Sequence, residues 1–192
     1  MPSSEIYEPS DDSFFLSDIL KKEIPKLLNK DINLRFLEIG CGSGIQLQTA
    51  LKSGIKKENI FSCDINPDAV EYCGKLEFNC TYSDLFSTFK GGVIVRGTLV
   101  PHKFDVIVFN PPYLPMDKRE PKTSQLATTG GKKGGEIINR FLRQAKKHLI
   151  KDGRIILLVS SLTKGLDFDG YKKKILAEKK LFFEKLIGLE LS

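Results

Sequence analysis

The chain has 192 residues, of which 41% are hydrophobic and 28% are charged, and a net charge of +6. This profile is typical of one soluble domain with a sizeable core, and no apolar run approaches the roughly 20 residues that a membrane-spanning helix requires. The positive charge permits an acidic partner or a nucleic acid without requiring either.

The N-terminal segment predicts a helix that begins at a polar cap. Ser10 or Asp11 can serve as the N-cap, and acidic residues in the first turn interact favourably with the helix dipole. Because this opening is polar and acidic, we expect no signal peptide and a cytoplasmic location. The stretch from Tyr7 to Ser13 either only caps the helix or also closes over a ligand.

A glycine-rich turn follows the first predicted strand, residues 34–39. It reads Gly40-Cys41-Gly42-Ser43-Gly44 and leads into an apolar-periodic helix through Leu51. Glycines between a strand and a helix let a ligand approach the backbone closely. The spacing differs from Gly-x-Gly-x-x-Gly, and no Gly-Lys-Ser/Thr follows, so the pattern favours neither a dinucleotide pyrophosphate site nor a P-loop.

Acidic residues follow the next two predicted strands. Asp64 ends strand 59–64, about 20 residues beyond the glycine turn, where a carboxylate can accept both hydroxyls of a ribose. Asp64 could instead cap the helix that begins at Pro67. Asp84, after a short strand, either accepts a hydrogen bond from an adenine amino group or lies in an ordinary turn. Residues 86–102 predict a small hairpin or an edge excursion.

The apolar strand Phe104–Phe109 ends at Asn110-Pro111-Pro112-Tyr113. The two prolines cannot donate ladder hydrogen bonds, so the strand stops and a rigid loop follows. The loop presents the amide of Asn110, the carbonyl of Pro111 and the ring of Tyr113. Two acceptors side by side suit a planar –NH2 group, although a turn that merely ends the strand is the alternative.

The remaining chain continues the alternation of strands and helices. Residues 114–135 form a long loop, either a substrate rim or a solvated segment, and residues 136–149 predict an amphipathic helix. A turn at Asp152-Gly153 precedes strand 154–160. Residues 172–191 favour two strands over one helix. The alternation predicts an α/β fold with a doubly wound, mostly parallel sheet and helices on both faces.

The four cysteines show no C-x-x-C pair, and the chain has only two histidines. This spacing argues against a structural zinc site, and no metal is expected in the site. We expect free, mostly buried thiols at Cys41, Cys63, Cys73 and Cys80.

The motifs together resemble those of class I S-adenosylmethionine-dependent methyltransferases. Within that class the chain is most similar to the HemK family of protein glutamine N5-methyltransferases, in the short branch that acts on archaeal/eukaryotic-type release factors. The resemblance covers nearly the whole chain. The stretches that carry it are Tyr7-Glu8-Pro9-Ser10-Asp11-Asp12-Ser13, Leu37-Glu38-Ile39-Gly40-Cys41-Gly42-Ser43-Gly44, Asp64-Ile65-Asn66-Pro67, Asn110-Pro111-Pro112-Tyr113 and Gly130-Gly131-Lys132-Lys133-Gly134-Gly135.

The resemblance implies a Rossmann-like fold with a seven-stranded, mostly parallel sheet, and one methyltransferase domain over residues 1–192 in which residues 1–30 cap the cofactor site. It also implies the residues that contact S-adenosylmethionine, which are Ser13, Glu38, Gly40, Asp64, Asp84 and Asn110.

By the same resemblance, Asn110 and the Pro111 carbonyl hold the substrate amide, with Pro112 and Tyr113 beside it, and Asn110, Pro111 and Tyr113 form the catalytic set. The substrate is the glutamine of a Gly-Gly-Gln loop in a peptide chain release factor. No general base is obvious, so catalysis is expected to rest on positioning and electrostatics.

The resemblance further implies a heterodimer with a small zinc-binding activator protein, which covers an apolar sheet edge near residues 86–102. The crossover 161–171 is shorter than usual for the family. Asn-Pro-Pro-Tyr also occurs in adenine N6-methyltransferases of DNA or RNA, because an exocyclic amine presents the same donors. The chain shows no recognisable target-recognition domain for base flipping. Protein lysine methylation and an inactive scaffold are further alternatives.

Overall fold

A seven-stranded sheet forms the centre of the molecule. This computed structural model describes residues 6–89, 91, 94–116 and 128–192. Its strands are β1 (Phe36–Ile39), β2 (Ile60–Asp64), β3 (Asn79–Tyr82), β4 (Ile94–Val95), β5 (Thr98–Leu99), β6 (Phe104–Phe109), β7 (Leu149–Ser160), β8 (Lys173–Lys180) and β9 (Lys185–Leu191). Its helices are α1 (Asp11–Leu28), α2 (Ile45–Lys52), α3 (Pro67–Lys75) and α4 (Glu136–Ala145), with 3-10 turns at Lys57–Asn59 and Lys146–His148.

The strand order of the main sheet is β3-β2-β1-β6-β7-β9-β8. The first five strands in that order pair in parallel, and β9 runs antiparallel to both β7 and β8. Parallel neighbours require crossovers, and here helices supply most of them on the two faces of the sheet. The architecture confirms the predicted doubly wound, mostly parallel α/β fold.

Hydrophobic clusters cover both faces of the sheet. Phe36 and Val106 pack on one face with the apolar sides of α1, α2 and α3, whereas Leu37 and Ile107 pack on the other face with α4. Adjacent residues of one strand point to opposite faces, so burial on both sides explains why the central strands are continuous apolar runs.

The three neighbouring strands β2, β1 and β6 end at the same level along the strand direction. Ile39 of β1 pairs with Cys63 of β2 on one side and with Phe109 of β6 on the other. The residues that follow these strands therefore leave the sheet side by side at one edge, where ligands bind in open α/β folds.

Two local predictions were wrong at their boundaries. The helix predicted over residues 136–149 ends at Ala145, and Leu149 already belongs to β7. The predicted turn at Asp152-Gly153 lies inside β7, where the pairing with β6 shifts register and Asp152 has a φ of 66°. The pairing passes from Phe104–Leu149 to Val106–Arg154, so four residues of β7 (150–153) face one residue of β6, and this irregularity depends on the partner strand.

Two other uncertain segments are settled by the structure. Residues 86–102 contain the β4–β5 hairpin, whose turn residues Arg96 and Gly97 both have positive φ, as a two-residue hairpin turn requires. Residues 172–191 form the antiparallel pair β8–β9. The crossover from β7 to β8 contains no helix, and Ile175 on β8 is exposed.

No helix within the described ranges combines the length and apolar character needed to cross a membrane.

Phe36→Ala is expected to remove a large part of the core between the sheet and α1. Its ring is fully buried, so truncation should lower the free energy of unfolding by about 3–5 kcal/mol. The matched control is Phe182→Ala, since that ring is 92% exposed and its loss should change stability by no more than about 0.5 kcal/mol. Urea denaturation followed by circular dichroism measures both, and equal losses in the two variants would contradict the described packing.

Candidate active site

A cavity of about 220 Å3 opens at the carboxyl edge of the parallel strands. Its wall includes eight of the nine residues predicted from the sequence, which are Ser13, Glu38, Gly40, Asp64, Asp84, Asn110, Pro111 and Pro112. Tyr113 is not part of the wall. The structure thus brings together residues from the N-terminal helix, the glycine turn and three further strand ends.

The glycine turn after β1 wraps tightly around the end of β2. The backbone N–H groups of Gly40 and Cys41 donate to the carbonyl oxygen of Cys63 at 2.8 and 3.1 Å. Gly40 and Gly44 have φ values of 75° and 74°, which side-chain-bearing residues rarely adopt. A Cβ at Gly44 would also lie 3.1 Å from the sulfur of Cys73, so the turn requires glycine.

Asp64 connects the glycine turn to the start of α3. Its Oδ2 accepts a hydrogen bond from the N–H of Gly42 at 2.9 Å, and its Oδ1 accepts one from the N–H of Asn66 at 2.9 Å. Asn66, through its own side chain, caps α3 by accepting from the N–H of Asp68. Burial raises the pKa of Asp64, and the backbone donors partly offset that effect.

Glu38 is a buried carboxyl group on the cavity wall, only 2% exposed. Its Oε2 has no hydrogen-bond partner among the described residues. Burial raises the pKa of Glu38 well above its ordinary value, and the neighbouring Cys80 and Asp64 add to the effect. A buried carboxylate oxygen without a partner is costly, so its presence at a cavity indicates a ligand that carries a donor or a positive charge.

Asn110 is oriented by Asp12. The Nδ2 of Asn110 donates to the Oδ2 of Asp12 at 3.1 Å. A carboxylate only accepts hydrogen bonds, so this contact identifies which end of the amide faces Asp12. The Oδ1 of Asn110 is buried and, within the part of the chain that the structure describes, has no partner. An acceptor is thereby held in place for a donor from outside the chain.

Asp12 was not predicted as a site residue, because an acid in the first turn of a helix is already explained by the helix dipole. It is buried and accepts hydrogen bonds from the hydroxyl groups of Tyr7 and Ser10, at 3.2 and 2.6 Å, and from the N–H of Ser13 at 2.6 Å. Ser10 is the N-cap residue, but its hydroxyl serves Asp12 and makes no capping bond. A sequence signal was present, since Asp12 shares a helix face with the core residue Leu16, four positions later.

A buried polar network attaches α1 to α2. The Nε2 of Gln46 donates to the carbonyl of Ser13 at 2.8 Å, while Ser17 donates its hydroxyl to the Oε1 of Gln46 at 2.9 Å. The hydroxyl of Thr49 completes the network by donating to Ser17 at 3.1 Å. Since these side chains are buried, the network sets the position of α1 and with it that of Asp12.

Asp84 forms an ion pair with Arg140 of α4, a cavity residue that the sequence argument did not identify. Both side chains are about half exposed, so solvent screens the pair. Tyr113 is half-buried and packs against the core cluster that contains Phe109 and Phe141. Burial is the main reason why the pKa of Tyr113 is raised, and the negative charge of Asp12 adds to it.

The loop after Tyr113 is anchored at both ends. The N–H of Leu114 donates to the carbonyl of Thr128 at 2.9 Å, and the N–H of Gly130 donates to the carbonyl of Leu114 at 2.9 Å. From the sequence, this loop was expected to form either a substrate-contacting rim or a solvated segment. Three of its basic residues lie outside the described residues, and they are Lys118, Arg119 and Lys122.

Comparisons with known proteins agree with this architecture. The family model described as methyltransferase small domain matches residues 16–168. The chain is 38% identical to a Methanocaldococcus jannaschii protein named as a protein N5-glutamine methyltransferase, over 95% of this chain and 89% of that relative. It is 34% identical to the eRF1 methyltransferase catalytic subunit mtq2 of Schizosaccharomyces pombe, over 78% of this chain and 70% of the relative.

A solved structure extends the match to three dimensions. The E. cuniculi Mtq2–Trm112 complex, described as responsible for methylation of the eRF1 translation termination factor, contains a chain that superposes with a TM-score of 0.67. The two chains are 26% identical, and the match covers 97% of this chain and 98% of the other.

Glu38→Gln is expected to stabilise the ligand-free chain at neutral pH. The pKa of Glu38 is raised above 4.5 in the folded chain, so the folded state binds this proton more tightly than the unfolded state. The free energy of unfolding therefore falls as the pH rises from 4.5 through the pKa that Glu38 has in the folded chain. Glutamine does not titrate, so this decrease is absent in the variant. We expect a melting midpoint a few degrees higher at pH 7, at about 2–4 °C per kcal/mol.

The control for this variant is Glu58→Gln, at an exposed position. Thermal unfolding of both variants from acidic to neutral pH provides the measurement. If the melting midpoint of Glu38→Gln equals that of the wild type at every pH, ionisation of the buried Glu38 does not lower the free energy of unfolding.

Proposed function

The chain belongs to the methyltransferase small domain family, and from this premise we propose that it methylates the side-chain amide nitrogen (N5) of the glutamine in the Gly-Gly-Gln motif of a peptide chain release factor. The cofactor in this proposal is S-adenosylmethionine. The names of the relatives from M. jannaschii and S. pombe support the reaction and the substrate class. The observation that carries the proposal is the buried, unpartnered Oδ1 of Asn110.

The Asn110 loop suits a primary amide as the substrate group. A planar –NH2 group has two N–H donors, and the Oδ1 of Asn110 and the backbone carbonyl of Pro111 offer two acceptors. Pro112 has no N–H with which to compete for them. Because Asp12 holds the opposite end of the Asn110 amide at 3.1 Å, the acceptor is preorganised before the substrate arrives.

An amide nitrogen is a weak nucleophile, because its lone pair is delocalised into the carbonyl group. Hydrogen bonds from both N–H groups to Asn110 and Pro111 orient the nitrogen and favour electron density on it as a bond forms. No described side chain is in a position that identifies it as the general base, so this chain contributes chiefly by orientation and by fixed dipoles. Tyr113 is proposed to pack beside the substrate amide, and its packing against the core cluster would hold the ring in position.

The proposed cofactor is supported by the buried, unpartnered Oε2 of Glu38 on the cavity wall, because this oxygen can accept a hydrogen bond from an ammonium group. In the proposal, Glu38 accepts from the ammonium group of the methionine part, Asp64 from the ribose hydroxyls and Asp84 from the adenine amino group. The glycine turn at Gly40 allows close approach of the backbone, and Ser13 closes the site from α1. When bound, the cofactor supplies an electrophilic methyl group on a positively charged sulfur.

The ion pair of Asp84 with Arg140 engages one of its two carboxylate oxygens. An adenine contact at Asp84 can therefore coexist with that pair.

As to domain organisation, we propose that residues 1–192 act as one methyltransferase domain, with residues 1–30 as the cap of the cofactor site.

A heterodimer with a small zinc-binding activator is part of the proposal. The support is the E. cuniculi structure, which is a complex of two different proteins. In this chain β3 is an outer strand of the sheet, and three side chains near it are apolar and more than half exposed, namely Tyr82, Ile94 and Leu99. Uncovered edge strands tend to pair with another chain, so this edge is the proposed contact surface.

The proposed function can be tested by a methyl-transfer assay. The purified chain, alone and with its candidate activator, is incubated with methyl-labelled S-adenosylmethionine and a release factor. Label should enter the release factor and disappear when the glutamine of its Gly-Gly-Gln motif is replaced by alanine. Label that enters DNA or RNA instead, with none in the release factor, would overturn the substrate.

Asn110→Ala is expected to separate catalysis from cofactor binding. Turnover should fall by about 10²–10³-fold, because the preorganised acceptor is lost, while the Kd for the cofactor changes only a few fold. The control is Asn29→Ala at an exposed helix end, which should alter neither quantity. Isothermal calorimetry and the labelling assay provide the two readouts, and normal turnover in Asn110→Ala would exclude the proposed role.

Asp12→Asn is expected to impair the orientation of Asn110 without unfolding the chain. A hydrogen bond to a charged group contributes about 1.5–3 kcal/mol, so kcat should fall about 10- to 100-fold with a smaller change in KM. Asp11→Asn is the matched control, because the neighbouring Asp11 forms an exposed ion pair with Lys179. Equal kinetic parameters in Asp12→Asn and the wild type, at equal melting midpoints, would show that Asp12 does not position the amide.

A further inference from the structure

Three cysteines that are far apart in the sequence meet beneath the glycine turn. Cys41 belongs to the turn, Cys73 to α3 and Cys80 to β3. All three are buried, and their sulfur atoms lie within 4.8 Å of one another. Within the described residues, no histidine or carboxylate ligand atom joins them inside that distance.

We propose that Cys41, Cys73 and Cys80 form a binding site for a thiophilic divalent cation of the zinc type. Zinc–sulfur bonds of about 2.3 Å place the sulfurs of a tetrahedral site just under 4 Å apart, so the cluster needs little rearrangement. The three ligands come from three different elements, and metal binding would link the glycine turn, α3 and the edge strand β3.

The surroundings of the cluster suit three thiolates and a divalent ion. The hydroxyl of Ser62 donates to the sulfur of Cys80 at 2.8 Å, an interaction that stabilises a thiolate. The guanidinium of Arg96 donates to the carbonyl of Gly74, next to Cys73, at 3.1 Å. Three thiolates carry a charge of −3 and a divalent cation lowers it to −1, so the ion removes most of the cost of burying the thiolates.

Charge balance also selects the class of ion. A monovalent soft ion such as Cu(I) would leave a charge of −2 on the three thiolates in the same buried place, so a divalent ion is favoured. In this proposal the fourth ligand of the tetrahedral site is a water molecule or the carbonyl oxygen of Gly42. That oxygen lies 3.6 Å from the sulfur of Cys73.

Metal binding in this place would act on the neighbouring cavity. Cys41 and Asp64 both line the cavity, and the N–H of Gly42, the residue after Cys41, donates to the carboxylate of Asp64 at 2.9 Å. Zinc binding would release the thiol protons to solvent and fix the position of Cys41, and with it the glycine turn that holds Asp64. This inference does not rest on the proposed substrate, because it concerns the cysteines and the cavity wall alone.

The experiment measures zinc binding by the full chain under reducing conditions, without its activator. Zinc is titrated against a chromophoric chelator, both on the native chain and after refolding with zinc, so that burial does not prevent loading. We expect one zinc per chain and a higher melting midpoint when it is bound. Cd2+ used as a spectroscopic probe should give a thiolate-to-metal absorption band, and X-ray absorption of the zinc-loaded wild type should count three sulfur ligands.

The matched control is Cys63→Ser, since Cys63 is equally buried in the neighbouring strand β2 but lies outside the cluster. Cys73→Ser and Cys80→Ser should each weaken zinc binding by at least about 100-fold, whereas Cys63→Ser retains it. The proposal is overturned if the wild type binds no zinc, if Cys63→Ser loses binding as fully as the cluster variants, or if fewer than three sulfurs surround the ion. The number of sulfur ligands is measured on the wild-type chain. It therefore decides the question even if a serine variant fails to fold.

Discussion

The candidate site depends on the register in which β1 pairs in parallel with β2 and β6, because this register ends the three strands side by side. Ile39 pairs with Cys63 and with Phe109, so Gly40, Asp64 and Asn110 leave the sheet together. A slip of one residue would turn every side chain of a strand to the opposite face. Since both faces of this sheet are packed, the hydrophobic core that stabilises the fold also holds the cavity residues in place.

Two buried oxygens on the cavity wall, on Glu38 and Asn110, have no partner among the described residues. Each such atom costs about 1–3 kcal/mol, a large amount for a domain of this size. Both side chains are held by their surroundings, Glu38 within a central strand and Asn110 by its bond to Asp12. The folded chain therefore leaves two hydrogen-bond acceptors unpaired at the place where a ligand would supply the donors. Acceptors that are fixed before the ligand binds are expected of a preorganised site.

The strands and the cavity residues that follow them were predictable from local pattern. The apolar run Phe104–Phe109 ends at two prolines, so its last residue is set by covalent structure alone. The start of β7 was not predictable in this way, because the register shift at residues 150–153 depends on pairing with β6. The role of Asp12 was overlooked because an acid in a first helical turn already has a sufficient local explanation, although its spacing from Leu16 indicated an inward-facing position.

The sequence by itself determined the alternation of strands and helices, the glycine turn and the side chains at each strand end, because these follow from periodicity and backbone stereochemistry. Only the tertiary structure decided which distant groups touch. Asp12 meets Asn110 across 98 residues of chain, and Cys41, Cys73 and Cys80 converge without any shared spacing motif. Such contacts depend on the strand order and on how the helices pack against the sheet, and hydrophobic periodicity records which face is buried but not what lies opposite it.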